Sequence, residues 1–412
     1  MPPASLNVGV VYGGRSVEHD VSIITGLQAC EALRGRHTPV PIYIDRDGRW
    51  FSDDSLLSLD TYTRPDAAPT EVRLDFPTRS LVPVAAAAPA KGGLLGRRGS
   101  GSGDAPAPIP LDVVLPATHG TQGEDGALQG LLELADIAYA GPPLEAAVVA
   151  MNKALTKLAL QAAGLPVVEH LALTRTAWSA DRAAVIASIA FPFPVYVKPA
   201  SLGSSVGVSR CADPGELADA LELAFELDRL VLVEPAIEGG KEVNCAVLGR
   251  PGVTPRASTC EEPIASAGLL SFEDKYLRDS GGKGGDKSGS GGGAKGGGEG
   301  MASASRIIPA PIGDELTARV QELAKAAFTA IGGAGVTRVD FLLDADGGVF
   351  VNECNTIPGS FAFYLWEHAG LPFEDLMDEL VALARAEFEE KRRTTRVFES
   401  NLLAKAGGGK AS

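Results

Sequence analysis

Arg338, Asp340, Glu353 and Asn355 fall within one stretch, TRVDFLLDADGGVFVNECNTIPGS (337–360), which reads as two strands joined by the turn 344–348. Side chains alternate along a strand, so Arg338 shares a face with Asp340, and Glu353 shares a face with Asn355. A four-residue loop would set Asp340 opposite Glu353 and Arg338 opposite Asn355. Two facing carboxylates among Val339, Phe341, Leu342, Val349, Phe350 and Val351 repel in water-poor surroundings, and positive charge belongs between them. A hard divalent cation meets that need, because Asp, Glu and an Asn carbonyl are oxygen donors of the kind magnesium takes together with phosphate oxygens. The competing reading is an Arg338–Asp340 structural pair on an ordinary hairpin.

A second group of residues suits phosphate. Lys198 ends an apolar strand in FPVYVKPASLGSSVGV (193–208) and feeds a Gly/Ser loop, 203–207, whose small residues let backbone N–H groups approach oxygen. Lys153 lies with Lys157 on an alanine-rich segment, 144–163, that reads as one helix. Solvation is the default for such lysines, and only the Lys198 loop lifts Lys153 above it. The strand edge Glu234 to Ile237, including Ala236, has backbone groups suited to an adenine ring, and Glu242 suits ribose hydroxyls; both also read as plain strand ends. Glu18 falls in the first turn of a helix after Gly13-Gly14, where the helix dipole alone explains an acid, although a carboxylate at a sheet edge also binds a substrate ammonium. His119 opens the polar loop HGTQGEDG (119–126) at a strand's carboxyl end, where α/β folds place ligands.

These residues need an α/β frame. Strand, glycine turn and helix open the chain at residues 7–33, and apolar runs at 40–44, 111–115, 193–199, 230–233 and 241–248 alternate with helical segments, among them 214–228 with Asp213 as its cap. Two excursions interrupt the pattern. Residues 91–110 are rich in Gly, Pro and Ser, and twelve of the twenty residues 281–300 are glycine, so both read as flexible insertions. The chain has 412 residues, enough for two or three domains. A net charge of -15 argues against a sequence-independent grip on nucleic acid. Five scattered cysteines without CxxC spacing read as reduced thiols and make zinc an unsuitable metal. No secretory leader and no apolar run of about 18 residues is present, so a soluble cytoplasmic protein without membrane contact is expected.

The ordered set GGRSVEHDVS (13–22), HGTQGEDG (119–126), VKPASLGSSVGV (197–208), EDKY (273–276), RVDF (338–341) and NECNTIPGS (352–360) resembles the D-alanine–D-alanine ligases of the ATP-grasp superfamily. The resemblance implies an N-terminal Rossmann-like (pre-ATP-grasp) domain over 1–141, followed by ATP-grasp subdomains over 142–238 and 239–400. It implies ATP-dependent joining of two D-alanines through an acyl phosphate, for peptidoglycan precursors. Lys153, Lys198, Lys275 and Ser205 would meet the phosphates, Glu234, Ala236 and Ile237 the adenine, and Glu242 the ribose. Asp340, Glu353 and Asn355 would hold two magnesium or manganese ions. Arg338 would stabilise the oxyanion, and Glu18 would bind the first ammonium with Ser204 and Tyr276 completing a hydrogen-bonded set. His119, Gly359, Ser360, Tyr364 and Leu365 would line the substrates, and a homodimer is expected.

Two departures stand out. Tyr364-Leu365 occupies the place where better-known ligases carry a Ser-Leu pair for the acceptor's carboxylate, and the glycine insertion interrupts the lid. Tyr276 argues against depsipeptide formation, which the family associates with histidine there. Readings with another acceptor (D-serine or a secondary-metabolite dipeptide) and a non-catalytic nucleotide sensor remain alternatives.

Overall fold

The computed structural model describes residues 5–64, 66–84, 107–237, 239–264 and 306–395, with 397 and 400. Both expected insertions (91–110 and 281–300) fall wholly or largely outside these residues, as do Lys275 and Tyr276.

The first sheet has three parallel strands at one end, Val113–Pro116 at the edge, then Asn7–Gly13 and Thr38–Ile44. Four short strands, Trp50–Phe51, Glu71–Asp75, Ser80–Pro83 and Ile109–Pro110, continue it in antiparallel fashion, so the Rossmann-like pattern covers only that end. The helix His19–Leu33 packs on it through Val21, Ile23, Ala29, Cys30 and Leu33, all buried. The closing helices Phe363–His368 and Phe373–Arg392 pack into the same core through Tyr364, Leu365, Trp366, Leu376 and Leu380. The chain's last elements thus stabilise its first domain.

Two antiparallel sheets form the rest. One orders its strands Ser209–Cys211, Val195–Pro199, Leu230–Pro235 and Leu171–Thr174, and carries the helix Pro214–Leu227. That helix starts as expected, Asp213 Oδ1 accepting from the N–H groups of Gly215 (2.8 Å) and Glu216 (3.0 Å) ahead of Pro214. The other sheet orders Arg306–Ile307, Arg256–Pro263, Lys241–Gly249, Gly335–Leu343 and Val349–Asn355, backed by the helix Asp314–Ala330.

The expected helix over 144–163 is two helices, Leu144–Met151 and Lys153–Ala162. Asn152 breaks it with an extended conformation (φ −98°, ψ 106°) and caps the second, its side chain accepting from the N–H groups of Ala154 and Leu155. Lys153 is therefore the first residue of a helix, not a mid-helix residue.

Candidate active site

The hairpin pairs Asp340 with Glu353 and Arg338 with Asn355, the expected register, but reaches it differently. Leu343 pairs with Val349 across a five-residue loop, and the register then shifts between Asp340 and Phe341 as Asn352 is added to the second strand. This bulge reverses the strand's alternation. Val349 and Val351 enter the core, whereas Glu353 and Asn355, of the same parity, emerge on the opposite face with Asp340 and Arg338.

One polar row then crosses four strands: Glu261, Asn244, Asp340 and Glu353. Each acid has a basic neighbour. Arg338 grips Asp340 with both arms, Nε to Oδ1 at 2.7 Å and Nη2 to Oδ2 at 2.8 Å. Arg306 Nη1 donates to Glu261 Oε2 at 2.8 Å, and Lys153 Nζ stands 3.7 Å from Glu353 Oε2. The two readings of the hairpin therefore coexist, since the structural pair is present and both acids still face the cleft. Although burial opposes its charge, Arg338 is held firmly protonated by Asp340. Asn355 donates its amide N–H to Asp340 Oδ2 (2.9 Å), which leaves its carbonyl oxygen as the end suited to a cation. Among the described residues no three His, Cys, Asp or Glu side chains gather as a metal cage. The set of two carboxylates and an amide oxygen fits a hard ion that draws its remaining ligands from phosphate.

Facing this row are the lysines. Lys153 is pinned at both ends, its N–H donating to Ala200 O (2.9 Å) and its Nζ to Leu202 O (2.6 Å) beside the Gly/Ser loop. Lys198 Nζ donates to Glu234 Oε2 (2.7 Å) and Asn352 Oδ1 (3.3 Å), which spans the two sheets at the bulge. Lys157, expected on the helix surface, is instead 1% exposed and stands 3.1 Å from Glu234 Oε1. Glu234 thus spends its carboxylate on two lysines: burial would raise its pKa, but Lys198 and Lys157 bring it below the usual carboxylate range. The backbone after it is partly spent as well, Ala236 N–H donating to Pro194 O at 3.0 Å. Burial holds the Lys157 pKa low, while for Lys198 burial is outweighed by Glu234, which pushes it up.

The first domain closes the far end of the cleft. Glu18 immediately precedes the helix His19–Leu33 instead of lying in its first turn, its side chain making no capping hydrogen bond, and its Oε1 accepts from Ser204 Oγ across the domain gap. Two glycines make room for it. A Cβ at Gly203 would stand 3.0 Å from Glu18 Oε2, and one at Gly120 (φ +72°) would stand 2.8 Å from the same oxygen and 2.5 Å from Ser16 Oγ. Glu124, in the same loop, accepts from the N–H groups of Gly120 (2.8 Å) and Ile357 (3.3 Å). Desolvation, then the nearby Glu18 charge, pushes its carboxyl up to about 8. His119 Nε2 lies 2.8 Å from Thr25 Oγ1, and burial brings its pKa down to about 4, so the ring is neutral.

Leu365 is buried in the core, and Tyr364 donates to Glu261 Oε1 (3.2 Å) under the Arg306 guanidinium, 3.9 Å above its ring. Asn244 completes that cluster, donating to the same oxygen at 3.0 Å. Gly359 and Ser360 are buried, and Ser360 N–H donates to Thr25 Oγ1 at 3.1 Å. Ser205 shares the left-handed turn of the glycine loop (φ 59°) with Ser204 (φ 51°), and Glu242 lies opposite Leu342, along the sheet from Asp340. Lys157, Thr25, Glu124 and the Arg306–Glu261 pair were not singled out from sequence; Glu124 alone had a signal, its place in the HGTQGEDG motif.

The sequence families described as D-ala D-ala ligase N-terminus and C-terminus match residues 7–142, and residues 159–284 with 298–382. The D-alanine–D-alanine ligase of Bacillus cytotoxicus is 35% identical over 395 residues (94% of this chain, 98% of that protein), and ligase B of Bradyrhizobium diazoefficiens is 37% identical over 394 (94% and 95%). The solved D-alanine-D-alanine ligase of Coxiella burnetii superposes with a TM-score of 0.75 at 28% identity, covering 98% of this chain and 99% of that one. The VanG D-Ala:D-Ser ligase of Enterococcus faecalis gives 0.72 at 27%, covering 92% and 100%. Two sheets closing on a lysine-lined cleft beside an α/β domain are the ATP-grasp fold of a carboxylate–amine ligase. Within that class, the chain belongs to the D-alanine–D-alanine ligase family.

Proposed function

We propose that the protein joins two D-alanines to D-alanyl-D-alanine, forming ADP and phosphate, as a step in making peptidoglycan precursors. The observation that carries the reading is the convergence of Lys153, Lys198, Arg338, Asp340 and Glu353 between the two sheets, with Glu18 and Ser204 fencing the cleft's far end.

A carboxylate resists attack by an amine until one of its oxygens can leave. ATP supplies that leaving group: the first D-alanine's carboxylate takes the γ-phosphoryl, ADP departs, the second D-alanine's amine attacks the acyl carbon, and phosphate leaves. Lys153 and Lys198, with Lys275, would set positive charge against the triphosphate, and Ser205 would meet it through its backbone. The backbone from Glu234 through Ala236 to Ile237 would read the adenine, and Glu242 the ribose. Asp340, Glu353 and Asn355 would hold the two magnesium or manganese ions, which when bound neutralise phosphate oxygens. Glu18, fixed by Ser204, would hold the donor's ammonium, with Tyr276 completing that set and His119 lining it. Arg338, oriented by Asp340, offers N–H groups to the oxyanion of the tetrahedral intermediate. Gly359, Ser360, Tyr364 and Leu365 would bound the acceptor.

The five cysteines are all buried and free, which supports a reducing cytoplasmic setting, and no helix among the described residues is long and apolar enough to cross a membrane. A homodimer is part of the same proposal and is checked by sedimentation. The deciding experiment is ADP release with single amino acids and pairs, products identified by mass. D-Alanine alone should suffice. Release that requires D-serine as acceptor would replace the second substrate, and release with no amino acid dependence would reject the ligase reading.

A further inference from the structure

The turn after the hairpin is strained and is held from another domain. Ser360, Phe361 and Ala362 are consecutive left-handed residues, with φ of 52°, 54° and 50°, a conformation that costs an L-residue roughly 1–2 kcal/mol. None is glycine, so burial and hydrogen bonds from neighbouring elements must over-determine the turn. Phe361 and Ala362 are buried in the core shared with the first sheet.

The polar restraints come from the amino-terminal domain. Ser360 N–H donates to Thr25 Oγ1 at 3.1 Å, within the buried interior. The same hydroxyl is hydrogen-bonded to His119 Nε2, 2.8 Å away. Ile357 N–H donates to Glu124 Oε1 at 3.3 Å, and the other Glu124 oxygen is fixed by Gly120 N–H at 2.8 Å. Two peptide groups flanking Pro358-Gly359 are thus taken by side chains that also brace the donor-side loop.

We propose that Thr25 and Glu124 are positioning residues for the acceptor: by anchoring Ser360 and Ile357 they fix the wall that runs to Tyr364 relative to the donor site at Glu18 and His119. The proposal rests on the ligase reading above. Neither residue touches a reacting atom. They act through geometry, because attack on an acyl phosphate needs the amine held near contact with the carbon, and a small misplacement lowers the rate steeply. Donor activation does not need that wall.

The test separates the two half-reactions on the full-length protein. Donor activation is read with ATP, D-alanine and hydroxylamine, a nucleophile too small to need the wall, which converts the acyl phosphate to D-alanyl hydroxamate and phosphate. Dipeptide formation against D-alanine concentration gives separate donor and acceptor KM values. Thr25→Val keeps the shape and removes the hydroxyl; it should leave hydroxamate formation within about twofold and raise the acceptor KM roughly tenfold, the loss of about one hydrogen bond. Thr25→Ser should restore it. Glu124→Gln, which cannot accept at both ends, should raise the acceptor KM more than the donor KM, and it decides the question if Thr25→Val does not fold. Equal changes in both constants, no change, or failure of serine to rescue would overturn the positioning role. Wild-type protein that makes no D-alanine-dependent hydroxamate would instead remove the ligase reading beneath it.

Discussion

Replacing Glu234 by glutamine isolates the charge that holds the lysine pair at the floor of the cleft. Its side chain is 2% exposed, with Lys157 (1% exposed) at 3.1 Å and Lys198 (12% exposed) at 2.7 Å. At an effective dielectric of about 20, each contact near 3 Å is worth roughly 5 kcal/mol before desolvation is subtracted. Glutamine leaves Lys157 without its countercharge and Lys198 with only Glu353, and breaking a buried pair in this way costs about 3–5 kcal/mol. An escape route caps the loss, because an ordinary lysine sheds its proton at neutral pH for about 4.6 kcal/mol. That route also gives the sign of a pH effect. Burial already depresses Lys157 in the folded protein, and without Glu234 it falls further, so between the folded and unfolded pKa values the unfolded chain binds more protons. Stability of the variant therefore rises with pH across that window, by up to ~1.4 kcal/mol per unit. Urea unfolding near pH 7 and again near pH 9 measures both effects. A loss below about 1 kcal/mol near pH 7, or a stability that does not climb toward pH 9, would refute the charge argument.

Other substitutions test other parts of the cleft. Asn152→Ala removes the cap that aims Lys153 and should lower stability by about 1 kcal/mol while raising the KM for ATP more than that for D-alanine, as steady-state kinetics would show. Gly203→Ala drives a Cβ to 3.0 Å from Glu18 Oε2; the donor KM should rise several-fold with ATP affinity little changed, measured by nucleotide titration. Tyr364→Phe deletes the proton given to Glu261, which keeps Asn244 and Arg306, so thermal melting should show about 1 kcal/mol lost. A change in acceptor preference with that variant would mean the hydroxyl also contacts the substrate.

The sequence carried the hairpin register, but for an incomplete reason. Counting a four-residue loop reaches the correct partners, whereas the chain closes five residues and adds Asn352 as a bulge. Alternation alone cannot supply that residue, although Val351 and Glu353, of equal parity and opposite character, mark the spot. Lys157 escaped because helical spacing places it near Lys153 without saying which way the helix faces. The break at Asn152 was legible as a capping residue type one position before Lys153, but the unbroken run of helix formers around it outweighed the signal. Thr25 carried no local sign, since its partners lie 94 and 335 residues away. The motifs fixed the elements, and the side-chain partnerships between distant elements belonged to tertiary packing.

The single added residue in the strand Val349–Asn355 decouples two jobs that a regular strand would force to share one side. Its first half furnishes the interior and its second half faces the cleft, so volume-changing substitutions at Val349 or Val351 can be tuned separately from the side chains of Glu353 and Asn355. Excising Asn352 would straighten the strand yet leave Glu353 opposite Asp340 and still outward, because it would then directly follow the inward Val351; what would be forfeited is the amide oxygen through which this strand reaches Lys198 on the other sheet.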